Sequence, residues 1–167
     1  ERVARNMEKS SLCGGVGGAG GPVVRRGGMG GAIEEWLMAG EDVADAGAGA
    51  VVFCERGIRS CEPTRRVLWD RAGGALRERV HGVRVVVDPS HAAGRKDLLG
   101  PLGEAALAAG AHGLIVEAHP EPGVARSDAP QQLDAAELAA VATSWGFGAG
   151  VGRRRRSAYE RTTTEPL

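Results

Sequence analysis

Long apolar runs and an excess of charge of either sign are both missing from this chain of 167 residues. No run approaches the roughly 18 apolar residues that a membrane-spanning helix needs. The 21 Lys and Arg residues balance 21 Asp and Glu residues, so no overall field favours nucleic acid or an anionic membrane surface. We therefore expect neither a nucleic-acid partner nor a membrane partner, and any anion site must be local.

Cysteine is scarce as well. Cys13, Cys54 and Cys61 are an odd number of cysteines at unrelated spacings, and no signal-peptide pattern opens the chain. Cys54 and Cys61 lack a recognised zinc spacing, and free cysteine mostly packs as a small hydrophobe. We expect a reduced, cytoplasmic protein in which Cys54 is buried.

Apolar runs alternate with amphipathic stretches along most of the chain. The β-branched or apolar runs predict strands at residues 22–26, 50–54, 83–87 and 113–117. Helical spacing of apolar residues predicts helices at residues 32–46, 63–80, 96–109 and 133–143, the last with Asp134 as its N-cap. Strands that are apolar throughout and separated by helices predict an α/β fold with a parallel sheet.

Two segments lack this alternation. Residues 14–21 are almost all glycine, which loses the most backbone entropy on ordering, so a flexible loop is expected there. From Ser144 onward the chain is rich in Gly, Arg and Thr without an apolar period, which predicts a folded domain over 1–143 and a disordered tail over 144–167. The four arginines at 153–156 could bind nucleic acid, but a solvated end is the interpretation we adopt.

Polar residues follow each predicted strand. Because the carboxyl ends of parallel strands lie on one face of a βα array, these residues should converge. His91, Glu117 and Asp128 come from consecutive loops and supply an imidazole and two carboxylates, the mixed donor set that suits Mn, Fe or Zn. One such residue alone would be a helix cap or a salt-bridge partner. Three in adjoining loops predict a divalent-metal site with room left for substrate.

Arginines also fall at or just after strand ends, at Arg5, Arg26, Arg56 and Arg59. Guanidinium forks match phosphate oxygens, which favours a phosphorylated substrate. The chain has only two lysines, so arginine as the default surface cation is a competing interpretation, and the residues alone leave both open. His81 and His112 lie at helix-to-strand turns on the opposite face and are expected to be structural.

Four motifs follow one another along the chain: CERGIR at 54–59, VVVDPSHAAGRKD at 85–97, LIVEAHP at 114–120 and SDAPQ at 127–131. Together they resemble the 3-deoxy-7-phosphoheptulonate (DAHP) synthases, of the superfamily shared with 3-deoxy-manno-octulosonate 8-phosphate synthase. Arg5-Asn-Met and MGGAIEEWL at 29–37 are similar too, so the resemblance covers about residues 2–143. The segments after Cys54-Glu-Arg and after His91 resemble the heptulosonate branch more closely.

The resemblance implies a (β/α)8 TIM barrel, of which this chain would span about strands 4 to 8, the C-terminal half. It implies a metal-dependent transferase that condenses phosphoenolpyruvate with erythrose 4-phosphate, the first step of the shikimate pathway to chorismate and the aromatic amino acids. It also implies that His91, Glu117 and Asp128 are three metal ligands, and that Arg56 and Arg5 bind the phosphoenolpyruvate phosphate.

The departures from the family pattern are equally specific. The family's remaining metal ligand, a cysteine in a Gly-Pro-Cys context, and its Lys-Pro-Arg-Thr-Ser segment for substrate phosphates are absent. The family lysine at the end of the fifth strand falls on Arg26, the candidate catalytic residue, which keeps the charge but does not readily transfer a proton. Two alternatives stay open: a non-catalytic relic that binds phosphate or metal, and an octulosonate synthase. We expect no measurable synthase activity from this chain alone.

A half barrel would also differ from a closed one in its edges. A closed barrel has none, whereas a half barrel exposes two, together with an inward face that we expect to include Val85, Val87 and Ile115. Such a surface predicts aggregation, or a homo-oligomer in which two halves complete one pseudo-barrel.

Overall fold

A computed structural model describes residues 10–28, 30, 32–58 and 82–147 of the chain. Its helices are α1 Ser10–Gly17, α2 Ile33–Asp45, α3 Pro89–Ala93, α4 Leu99–Ala108 and α5 Ala135–Ser144. Its strands are β1 Pro22–Arg26, β2 Ala50–Glu55, β3 Arg84–Val87 and β4 Gly113–Leu114. Short 3-10 turns span Lys96–Leu98, Pro122–Val124 and Ala129–Gln131.

The four strands form one sheet in the order β1-β2-β3-β4, and every neighbouring pair is parallel. The register places Arg26 beside Cys54 and Cys54 beside Val86. All four carboxyl ends therefore lie at one edge of the sheet. This confirms the predicted parallel α/β fold and brings the strand-end residues to a common edge.

One face of the sheet is covered by α2, whose apolar residues recur at helical spacing. Trp36 and Ala39 of this helix pack with Phe53 and Val85 of the sheet. The Trp36 and Phe53 rings meet edge to face, with centroids 5.3 Å apart and planes at 83°, a favoured arrangement for aromatic pairs. The helix-side core, as we call these four residues, anchors α2 to the middle of the sheet.

The predicted inward direction of Val85 and Val87 is wrong. Val85 pairs with Phe53 in register and packs with it under α2, at 1% exposure. Since side chains alternate along a strand, Val87 shares that face, and Val86 and Cys54 belong to the other. Val24, on the same face as Cys54, is 51% exposed. Because residues 85–87 are all valine, the sequence does not show which of these side chains face the helices and which face the other side of the sheet.

The predicted glycine loop at 14–21 is wrong for residues 14–17, which are helical. Helix α1 runs through Gly17 and buries Cys13. At Gly17 a Cβ atom would lie 2.4 Å from the Val43 carbonyl oxygen and 2.6 Å from the Ala46 Cβ. The absence of a side chain therefore allows α1 to pack closely on α2. The helix has this contact although its glycines and serines are poor helix formers.

The C-terminal elements follow the prediction with two differences. The strand at 113–117 shortens to Gly113–Leu114, and the helix at 96–109 begins with a 3-10 turn before α4. Helix α5 has Asp134 as its N-cap, since Asp134 Oδ1 accepts from the Glu137 N–H at 2.8 Å. Trp145, on the tail side of the predicted boundary at residue 143, donates from Nε1 to the Gly100 carbonyl at 3.0 Å.

Some predictions fall outside the described residues. These are the helix at 63–80, Arg5, Arg59, Cys61, His81, and the tail from residue 148. Within the described ranges, no helix has both the length and the apolar character required to cross a membrane.

Candidate metal centre

The first part of the site is the turn that follows β3. Asp88 is the N-cap of α3, and its Oδ1 accepts from the His91 backbone N–H at 3.0 Å. Pro89 occupies the first helical position, where a missing N–H costs nothing. His91 thus sits in the first turn of a capped helix and is only 4% exposed.

Both ring nitrogens of His91 face carboxylates. Nδ1 lies 2.7 Å from Asp88 Oδ2, and Nε2 lies 3.3 Å from Glu117 Oε1. Asp88 itself is fully buried. The imidazole is therefore held on one side by Asp88 and presents Nε2 toward Glu117.

Glu117 lies just beyond the short strand β4 and is held through three of its atoms. Its backbone N–H donates to Ser90 Oγ at 3.0 Å, and its carbonyl accepts from the Leu133 N–H at 3.0 Å. Its Oε2 accepts from Gln131 Nε2 at 2.7 Å. Because Gln131 is 1% exposed, the carboxylate is oriented by a group that has little freedom to move.

Asp128 has an unusual backbone. Its φ is 54°, and among the described residues it is the one non-glycine residue with positive φ. Aspartate and asparagine tolerate this left-handed region better than other side chains. Its carbonyl accepts from the Gln131 N–H at 3.0 Å. Backbone strain of this kind concentrates at functional sites, and here it occurs at a predicted metal ligand.

The structure brings the three predicted ligands together. One ligand atom from each of His91, Glu117 and Asp128 lies within 4.8 Å of the others. Two ligands bonded at about 2.1 Å to one ion are at most about 4.2 Å apart, so a modest side-chain movement closes the set. An imidazole nitrogen with two carboxylate oxygens fits a divalent ion such as Mn, Fe or Zn. These residues could hold a metal.

Two of the four predicted substrate arginines lie in the described ranges, at the same edge of the sheet. Arg26 ends β1, and its guanidinium Nη2 is 3.2 Å from Asp88 Oδ2. The Arg26 side chain is 14% exposed. Arg56 directly follows β2 and is half-buried. Positive charge therefore borders the candidate metal centre.

Cys54 is not part of the ligand cluster. It is fully buried, as predicted. Burial, followed by the nearby charge of Asp88, raises the pKa of the Cys54 thiol to about 12. Since the thiolate is the form that binds metal, Cys54 is a neutral packing residue at ordinary pH.

Sequence reasoning assigned no role in the site to three residues that contact its ligands, Asp88, Ser90 and Gln131. An aspartate followed by proline is a helix-start signal, with aspartate as N-cap and proline in the first helical position, and it could have identified Asp88. Ser90 and Gln131 contact Glu117 across the fold, which no local pattern reveals. The structural role predicted for His112 is confirmed, since its Nδ1 accepts from the Val85 N–H at 3.1 Å.

Known proteins resemble this chain along most of its length. The chain is 45% identical over 132 residues to the phospho-2-dehydro-3-deoxyheptonate aldolase of Thermotoga maritima, which covers 78% of this chain and 39% of that protein. It is 33% identical over 105 residues to the 2-dehydro-3-deoxyphosphooctonate aldolase of Vibrio cholerae, covering 56% of this chain and 36% of that protein.

Solved structures of DAHP synthases are also similar to this chain. The crystal structure of the Thermotoga maritima DAHP synthase matches with a TM-score of 0.81 at 40% identity, covering 86% of this chain and 42% of that one. A truncated form of the Thermotoga maritima enzyme matches with a TM-score of 0.74 at 38% identity, covering 87% of this chain and 58% of that one. The predicted partial (β/α)8 barrel is thereby confirmed.

The chain spans about two fifths of the length of the heptonate aldolase. Its sequence matches the model of the DAHP synthetase I family over residues 3–146. This match takes in the four parallel strands and all three residues of the metal-ligand cluster. The chain belongs to the DAHP synthetase I family.

Proposed function

We propose that this chain forms the metal- and phosphoenolpyruvate-binding part of a 3-deoxy-7-phosphoheptulonate synthase, which condenses phosphoenolpyruvate with erythrose 4-phosphate. The observation that carries the proposal is the convergence of His91, Glu117 and Asp128 within 4.8 Å, beside the ion pair of Arg26 with the buried Asp88. A chance ion pair would not explain why three side chains of metal-binding types lie together with an arginine beside them.

His91, Glu117 and Asp128 would hold the divalent ion, whether Mn, Fe or Zn. A bound ion of this kind supplies Lewis-acid polarisation of a carbonyl oxygen, here the sugar aldehyde. The protein contributes the orientation of the ligands: Asp88 holds His91, and Gln131 holds Glu117. Because these side chains are already oriented, the reaction needs little additional free energy to position them.

Arg26 and Arg56 would bind the phosphate and carboxylate of phosphoenolpyruvate. Arginine stays protonated at any physiological pH and donates in a fork that matches both groups. Arg26 therefore binds and orients charge; it does not relay a proton. Its present partner, Asp88, keeps the guanidinium at the edge of the cluster until a substrate anion arrives.

An octulosonate synthase is the second candidate, and the match to the Vibrio cholerae relative supports it. Phosphoenolpyruvate contributes three carbons, so an eight-carbon product needs a five-carbon aldehyde and a seven-carbon product a four-carbon one. The greater identity to the heptonate aldolase, 45% against 33%, favours the four-carbon sugar.

Binding of phosphoenolpyruvate to the zinc-loaded chain tests the proposal. Arg56→Met should weaken binding about 10- to 100-fold, since a hydrogen bond to a charged group contributes about 1.5–3 kcal/mol. Arg84→Met is the matched control, because Arg84 is exposed at the amino end of β3, away from the site. Calorimetry that finds no binding, or equal losses in both variants, would contradict the proposal.

Turnover is measured in the same solution. We expect no phosphate release from phosphoenolpyruvate with either sugar phosphate, the outcome that a binding relic also predicts. Release that depends on erythrose 4-phosphate would overturn that expectation and establish the heptulosonate reaction. Release that depends on a five-carbon sugar phosphate would instead establish the octulosonate reaction.

A further inference from the structure

We propose that Asp88 is a positioning residue that selects which nitrogen of His91 binds the metal and ties that ligand to Arg26. The inference rests on the proposed metal site. Asp88 belongs to no predicted ligand set, and its first role in the fold is to cap α3. Its two oxygens nevertheless do more than a cap requires.

The carboxylate of Asp88 has three donors and no exposure to solvent. Oδ1 accepts from the His91 backbone N–H at 3.0 Å, which is the capping bond. Oδ2 lies 2.7 Å from His91 Nδ1 and 3.2 Å from the Arg26 guanidinium. One oxygen therefore serves the helix, and the other serves the site.

The shared oxygen determines the chemistry of His91. A carboxylate that accepts from His91 keeps the proton on Nδ1, so Nε2 is the ring nitrogen whose lone pair would be available to a bound ion. Nε2 is the nitrogen that lies 3.3 Å from Glu117 Oε1, inside the cluster. A hydrogen bond from the other ring nitrogen to a carboxylate fixes the ring and raises ligand basicity at metal sites.

Arg26 binds the same oxygen, so the candidate anion site and the metal ligand share one support. A residue that only capped α3 would affect helix stability and nothing else. Asp134 shows what such a residue looks like: its Oδ1 accepts from the Glu137 N–H at 2.8 Å at the start of α5, in the same capping arrangement. Asp134 is therefore the matched comparison for Asp88.

The test compares zinc affinity in three variants of the full chain by calorimetry. Asp88→Asn keeps the size and one acceptor oxygen but replaces the other oxygen with a donor, so we expect an affinity loss of about 10- to 100-fold. Asp88→Ser retains a capping oxygen without reaching Nδ1, and we expect a similar loss. Asp134→Asn should stay within about threefold of the parent. Equal affinities for Asp88→Asn and Asp134→Asn would overturn the inference.

A second measurement needs no variant to fold. In ¹⁵N NMR of the zinc-loaded parent chain, we expect His91 to be protonated at Nδ1 and metal-bound at Nε2, and the reverse assignment would overturn the inference. Failure of the proposed site looks different. In that case the parent chain binds no zinc, or His91→Ala binds it unchanged.

Discussion

The helix-side core and the metal-ligand cluster are held together in different ways. Phe53 and Trp36 meet through apolar contact between their rings. His91 and Glu117 are fixed by directional hydrogen bonds from Asp88 and Gln131. Stability and ligand binding therefore depend on different groups of residues. Changes in the core should alter the free energy of unfolding, and changes in the cluster should alter ligand affinity.

Truncation of Phe53 should have the largest effect on stability. Phe53→Ala removes a buried ring and leaves a cavity under Trp36, for which we expect a loss of about 3–5 kcal/mol in the free energy of unfolding. Met38→Ala on α2 is the control, because Met38 lies on the helix that covers Phe53 but is 63% exposed. Urea titration measures both. A loss for Phe53→Ala no greater than that of the control would show that the core does not carry the fold.

Added volume tests the same core from the opposite direction. A Cβ atom at Gly40 would lie 2.3 Å from the Phe53 ring, so Gly40→Ala should destabilise by about 1–3 kcal/mol through overpacking. A helical glycine elsewhere should behave in the opposite way. Gly15→Ala on α1 meets nothing within 4 Å and should stabilise by about 0.4–1 kcal/mol. Changes of the same sign in the two variants would contradict this account of α2 packing.

The buried thiol of Cys54 on β2 predicts that the free energy of unfolding depends on pH in the alkaline range. Burial raises the pKa of its thiol from 9.0 to about 12, so the folded chain keeps a proton that the unfolded chain releases above pH 9. The free energy of unfolding should therefore fall between pH 9 and 12, by up to about 1.4 kcal/mol per pH unit. Cys54→Ala should lose this contribution to the slope. Parallel curves for the two proteins above pH 9 would contradict the prediction.

Periodicity and strand-end position predicted much of this structure. The bounds of β1 match the predicted 22–26, and α2 and α5 lie within one or two residues of their predicted limits. Parallel strands place their carboxyl ends on one face, which made the meeting of His91 and Glu117 predictable. Asp128 was expected from a separate strand-end loop, but it lies in the same connection between β4 and α5 as Glu117 and comes back to the cluster from there. The cytoplasmic location and the homo-oligomer stay predictions.

The failures have a common physical cause, which is that tertiary contact decides what local pattern leaves open. Helix α1 includes three glycines, and the missing side chain at Gly17 leaves room for its close contact with α2. Val85 faces the helices because α2 covers that face of the sheet. Gln131 reaches Glu117 across fourteen residues of sequence. None of these contacts has a signature in a short window of residues.

Metal titration of the parent chain and of Asp128→Asn tests the central claim most directly. Asparagine tolerates the left-handed backbone at this position, so the substitution removes a charged ligand oxygen with little strain. We expect the parent to bind one Mn or Zn ion, and Asp128→Asn to bind it more weakly by over about 100-fold, beyond the usual effect of residues that only contact a ligand. Unchanged affinity in Asp128→Asn, with its fold intact by circular dichroism, would place the metal elsewhere and contradict the account.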